Sequence, residues 1–137
     1  MQHIERRNVH ALRKKVMVVE DDREMRHLME LSLGMKLNVR VLVATDGFMA
    51  LMMVRGELPD LILMDLWMPY VDGFQAIELL KSDEQTRHIP IMAFSNHDWN
   101  FEWKEKVSEL GCVRCLEKTE FIPQIANIVD EFLAQEA

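Results

Sequence analysis

Four apolar stretches of this chain end in side chains able to do chemistry. Leu61-Ile62-Leu63-Met64 runs into Asp65, just before a Met68-Pro69 turn. Val16–Val19 runs into Glu20-Asp21-Asp22, Ile89–Phe94 into Ser95-Asn96, and Cys112–Leu116 into Glu117-Lys118. Clustered carboxylates repel, and each raises its neighbours' pKa unless a cation intervenes. A hard divalent ion relieves this: Mg2+ takes one or two carboxylates, keeps several waters and shares phosphate oxygens. An Asp carboxylate is also a nucleophile toward phosphoryl groups, giving an aspartyl-phosphate. Such transfer needs positioning and charge neutralisation more than covalent help. A Lys offers a compact positive charge to one phosphate oxygen and a Ser hydroxyl a hydrogen bond to another. A phosphoryl-accepting Asp site is therefore available, provided the four ends meet.

The elements that must bring them together alternate. Short β-rich runs (Val16–Val19, Val39–Ala44, Leu61–Met64, Ile89–Phe94, Cys112–Leu116) are separated by longer segments of helical spacing. The runs are nearly continuous in apolar residues, as in a parallel sheet covered on both faces. Met25, Leu28, Met29 and Ser32 share one helical face, as do Phe48, Leu51 and Met52, and Ile122, Ile125, Val129 and Leu133. Most of the 11 methionines fall in these segments, as core filler. Asp72 with Gln75 has capping-box spacing, Asp22, Asp46 and Asp98 suit N-caps, and Gly34 and Gly111 suit helix C-termini. Five strands and five helices in β-α order predict a doubly wound α/β sandwich. In such sheets ligands sit beyond the carboxyl ends of the strands, where the four polar ends lie.

At 137 residues the chain suits one domain. No apolar run reaches the ~18–20 residues of a membrane span, and the polar, basic N-terminus has no secretory h-region. Two cysteines make no disulfide framework, so a cytoplasmic setting is expected. Residues 1–15 hold five basic groups and one acid, so the net charge of −7 rests on a still more acidic body. That body is unsuited to nucleic acid. We divide the chain into a basic N-terminal extension, 1–14, and a domain, 15–137. Cys112-Val-Arg-Cys115 is a CxxC, but in a strand residues three apart face opposite sides, against a shared metal or disulfide. The five histidines show no ligand spacing. Trp99, Phe101 and Trp103 cannot share one helical face, so aromatic surface is expected to remain open to a partner.

VMVVEDD, DLILMDLWMPYVDG, IPIMAFS and CLEK together resemble the receiver domain of bacterial two-component response regulators, from about Lys15 to the chain's end. The resemblance implies a (βα)5 flavodoxin-like fold similar to the chemotaxis receiver. It implies Asp65 as phosphoacceptor, and Glu20, Asp21, Asp65 and the backbone carbonyl of Trp67 as ligands of Mg2+. Lys118 would contact the phosphate, and Ser95 would be the switch hydroxyl. Implied partners are a histidine kinase or histidine phosphotransfer protein, and a target that reads the fourth helix, fifth strand and fifth helix. A homodimer is compatible with this, whereas nucleic acid or membrane binding by the domain is not expected. As a signalling domain it would catalyse only its own phosphoryl transfer and dephosphorylation.

The sequence departs from the family at four points. Cys115 stands where an aromatic is usual, Thr119 where Pro follows the Lys, and Asn96 where a small residue follows the hydroxyl. Trp67 and His97 are bulky and poised to overhang the phosphoryl group and prolong its life. These departures motivate an alternative, a receiver-like interaction module independent of phosphorylation. An Asp-nucleophile phosphatase of the haloacid-dehalogenase type would need an Asp at position 67, and no GxGxxG or P-loop is present.

Overall fold

The structure is a computed structural model that describes residues 13–68, 70–95 and 101–136, with the side chains of Phe101, Thr119 and Glu120 left aside. The N-cap expectation at Asp98, and those for Asn96, His97, Trp99 and the lead-in through residue 12, fall outside these residues.

Five strands form one parallel sheet: β1 (Lys14–Val19), β2 (Val39–Ala44), β3 (Leu61–Asp65), β4 (Ile91–Ser95) and β5 (Arg114–Glu117). Their order is β2-β1-β3-β4-β5. Five helices alternate with them: α1 (Arg23–Lys36), α2 (Gly47–Glu57), α3 (Gly73–Ser82), α4 (Phe101–Glu109) and α5 (Lys118–Glu136).

The period-two alternation of the strands feeds two apolar layers. Met17, Val19, Ile62, Met64, Ile91 and Ala93 pack with Ala50 and Val54 of α2, Phe74 and Ile77 of α3, and Val107 of α4. Val16, Val18, Leu61, Leu63, Met92 and Phe94 pack instead with Met29 and Leu33 of α1 and Ile125 and Val129 of α5. Both faces of the central strands are thus buried, which is why their sequences read as unbroken apolar runs.

Asp22 caps α1, Asp46 caps α2, and Asp72 closes a reciprocal capping box with Gln75 on α3. These caps fix where α1, α2 and α3 start. Gly111 follows α4 at φ +95°, a backbone region that favours glycine.

Several expectations are corrected. Gly34 lies inside α1, which runs to Lys36 and is capped by Leu37 instead. Leu28 of α1 is 46% exposed, and Leu33 takes its place in the core. In α2 the inward residues are Gly47, Ala50 and Val54, whereas Phe48 and Met52 point outward. Positions 48–54 are all apolar, so no periodicity marks one face. The rotation is set at the first residue of α2, where a Cβ on Gly47 would run into the backbone carbonyl of Val71. The fourth strand starts at Ile91 rather than Ile89, after Pro90.

The fifth strand begins at Arg114, so Cys112 precedes it, and both cysteines pack against the same layer. Both thiols are free. Burial, with Cys115 nearby, pushes Cys112 up to about 12, and burial also raises Cys115. Lys81 near Cys112 and Lys104 near Cys115 pull the other way, but burial outweighs them, so neither thiol is the low-pKa thiolate of a reactive cysteine. No cis peptide occurs among the described residues, and α5 starts directly at Lys118.

Candidate functional site

The acidic loop after β1 is held by backbone contacts. The Glu20 amide donates to the Ala44 carbonyl at 3.1 Å, which extends the β1–β2 ladder by one residue. Arg26, on the first turns of α1, donates to the carbonyls of Glu20 (3.0 Å) and Asp21 (3.3 Å). Sequence reading missed Arg26, because only its position in α1 brings it back over the loop.

Asp65 ends β3 and is buried, as are Glu20, Ser95 and Lys118. Behind Asp65, a Cβ on Gly73 would collide with the Asp65 carbonyl oxygen and the Leu66 Cα. The first residue of α3 therefore has to be glycine for the helix to sit against the strand end. Asp65 Oδ1 accepts the Trp67 amide at 3.2 Å. The second oxygen, Oδ2, accepts from Lys118 Nζ at 3.4 Å, and the same ammonium donates to Glu20 Oε1 at 2.5 Å.

Glu20, Asp21 and Asp65 each bring a carboxylate oxygen within 4.8 Å of the other two. Glu20 Oε2 is buried and has no hydrogen-bond partner. A buried carboxylate oxygen left without a partner is costly. Burial and the Asp65 carboxylate push Glu20 up to about 8, against the pull of Lys118. Burial lowers Lys118, but its hydrogen bond to Glu20 and the charges of Asp65 and Glu20 outweigh this, and its pKa is raised. Asp21, by contrast, is exposed and gives the cluster an open side. The donor set is all oxygen, one member lacks a partner, and water can enter: a hard divalent cation fits these residues.

Ser95 ends β4, the strand beside β3, and stands opposite Glu117 in the β4–β5 register. Trp67 lies in the loop after Asp65 and is 38% exposed as a residue. Of the residues singled out in the sequence, Glu20, Asp21, Asp65 and Lys118 meet directly, while Ser95 and Trp67 flank them. Asp22 is taken up as the N-cap of α1, accepting the amides of Glu24 and Met25.

Residues 16–130 match the sequence model of the response regulator receiver domain. The chain belongs to the response-regulator receiver domains. The receiver is 32% identical over 124 residues to the polar-differentiation response regulator DivK of Brucella ovis, covering 88% of this chain and 96% of that protein. Among solved structures it resembles the phosphorylated cyanobacterial phytochrome response regulator RcpA, with a TM-score of 0.77 at 27% identity, over 91% of this chain and 96% of that one. It also resembles the receiver domain of the histidine kinase CKI1 from Arabidopsis thaliana complexed with Mg2+ and BeF3− (TM-score 0.76, 27% identity, 93% and 95% covered). The receiver thus has the flavodoxin-like fold of the chemotaxis proteins and a place in two-component signalling. Among the described residues, no helix is long and apolar enough to cross a membrane.

Proposed function

We propose that the receiver takes a phosphoryl group on Asp65 with Mg2+ and thereby switches its protein contacts. The observation that carries this is Lys118 reaching both Glu20 and Asp65 beside the partnerless Glu20 oxygen. Glu20 and Asp21, with Asp65 and the Trp67 carbonyl, are the residues to hold the metal. When bound, Mg2+ would neutralise phosphoryl charge. An Asp65 oxygen attacks phosphorus while the bond from phosphorus to the donor imidazole nitrogen breaks, and that nitrogen leaves with the electron pair. Lys118, already aimed at Asp65, holds a phosphoryl oxygen, and Ser95 is the hydroxyl that answers it.

The donor is a histidine kinase or phosphotransfer protein, and the reaction, like its hydrolytic reversal, is the receiver's own. The domain read from residue 15 onward is the functional unit, with its first strand reaching back to Lys14, and the residues before it are a basic extension. The setting is cytoplasmic. A downstream protein reads the surface around α4, β5 and α5.

The test is intact-protein mass spectrometry after incubation with acetyl phosphate and Mg2+. A single phosphoryl adduct is expected on wild type, and none on Asp65→Asn or without metal. If the folded wild type carries no adduct, the reading is wrong, and a module that binds independently of phosphate replaces it.

A further inference from the structure

Asp65 divides its two oxygens between two tasks. Oδ2 faces Lys118, whereas Oδ1 holds the Trp67 amide at 3.2 Å. The indole of Trp67 lies 5.2 Å from that of Trp103 on α4, tilted by 59°, and 5.5 Å from the Phe74 ring on α3, edge to face at 75°. Phe74 in turn carries the Lys106 ammonium 4.5 Å above its ring. Trp103 and Lys106 are three residues apart on α4, so they share a side of that helix. One turn of α4 therefore grips two rings, and one of these belongs to a residue hydrogen-bonded to Asp65. On β5, Cys115 is half-buried and carries no ring.

We infer that Trp67 is a positioning residue of the switch, which carries the state of Asp65 to α4 through its contact with Trp103. The inference rests on Asp65 accepting the phosphoryl group. A carboxylate oxygen bonded to phosphorus loses its charge, and a charged acceptor holds an N–H about twice as strongly as a neutral one. The Trp67 amide bond therefore responds to the chemistry on Asp65 itself. The indole is rigid, so a shift of the loop backbone moves the ring plane. Offset and edge-to-face ring pairs are directional, and Trp103 must then re-seat. Packed contacts of this kind change between discrete arrangements rather than stretching. Trp67 thereby couples to α4 with its ring, apart from the use of its carbonyl as a metal ligand.

The test is NMR of the 15N-labelled full chain with beryllofluoride and Mg2+, a stable stand-in for the phosphoryl group. The 19F signal of bound beryllofluoride reports the Asp65 site separately. In wild type the Trp103 indole N–H signal should move on binding. In Trp67→Leu, which keeps the carbonyl of residue 67, the Trp103 shift per bound beryllofluoride, read against the 19F signal, should fall by about fivefold or more. Cys115→Ser should leave the Trp103 shift intact. A Trp103 shift as large in Trp67→Leu as in wild type would overturn the inference. Trp103→Leu covers the case of an unstable Trp67 variant: its 19F signal should remain and the α4 amide shifts at Lys106 and Val107 should collapse. Undiminished α4 shifts there overturn the inference equally. No bound 19F signal in wild type would remove the phosphoryl reading, and this inference with it.

Discussion

Glu20 is the residue whose chemistry is most altered by folding. Its carboxyl rises from 4.5 to about 8, through burial first and then through Asp65. Without metal it keeps its proton at neutral pH, and a metal has to displace that proton. Mg2+ affinity should therefore climb between pH 6 and 8, by up to about tenfold per pH unit, and level off above. Glu20→Gln should flatten the slope and weaken binding. Titrations of Mg2+ at several pH values, followed by tryptophan fluorescence, would measure both. The sign for stability is opposite. The metal-free folded state binds a proton that the unfolded state loses above 4.5, so stability falls as pH rises from about 4.5 to about 8. Urea unfolding without metal should show that fall in wild type and a flatter profile in Glu20→Gln. Asp65, Glu20, Asp21 and Lys118 were legible because each lies within two residues of the end of a run that has to be a strand. Arg26 and the Trp67–Trp103 contact were not, since they depend on how two elements lie against each other.

Among the elements, α2 and α3 show where reading by periodicity stops. The unbroken apolar run 48–54 of α2 offers no stripe, and a backbone contact at Gly47 chose its rotation. The consequence is measurable. Phe48→Ser and Met52→Ser, at 62% and 68% exposure, should each change unfolding free energy by no more than about 0.5 kcal/mol. Val54→Ala, fully buried, should cost about 2 kcal/mol. Urea denaturation of the three variants decides between this face and the one predicted from spacing. The start of α3 is fixed differently. Asp72 and Gln75 announce it in sequence, but nothing there shows that residue 73 touches the back of Asp65. Gly73→Ala should destabilise by about 2 kcal/mol through overpacking, and it should slow adduct formation because the strand end has to move. Mass spectrometry over time and a urea melt would report the two effects separately.

Across the whole molecule, the number, order and type of elements follow from alternation of apolar runs and helical segments, with capping residues as punctuation. What alternation leaves open is which strand neighbours which, and the observed order places β1 between β2 and β3. That arrangement has a bearing on how the chain is made. Once Asp65 has left the ribosome, three strands can already pair among themselves. The free edge of β3, Leu61–Asp65, waits until α3 and then Ile91–Ser95 have emerged in turn. At ordinary rates of translation that wait is on the order of seconds. During it, the strand that ends in Asp65 is an unpaired, apolar template. Misassembly between nascent copies would begin at β3, the strand that also carries the buried carboxylate of the cluster.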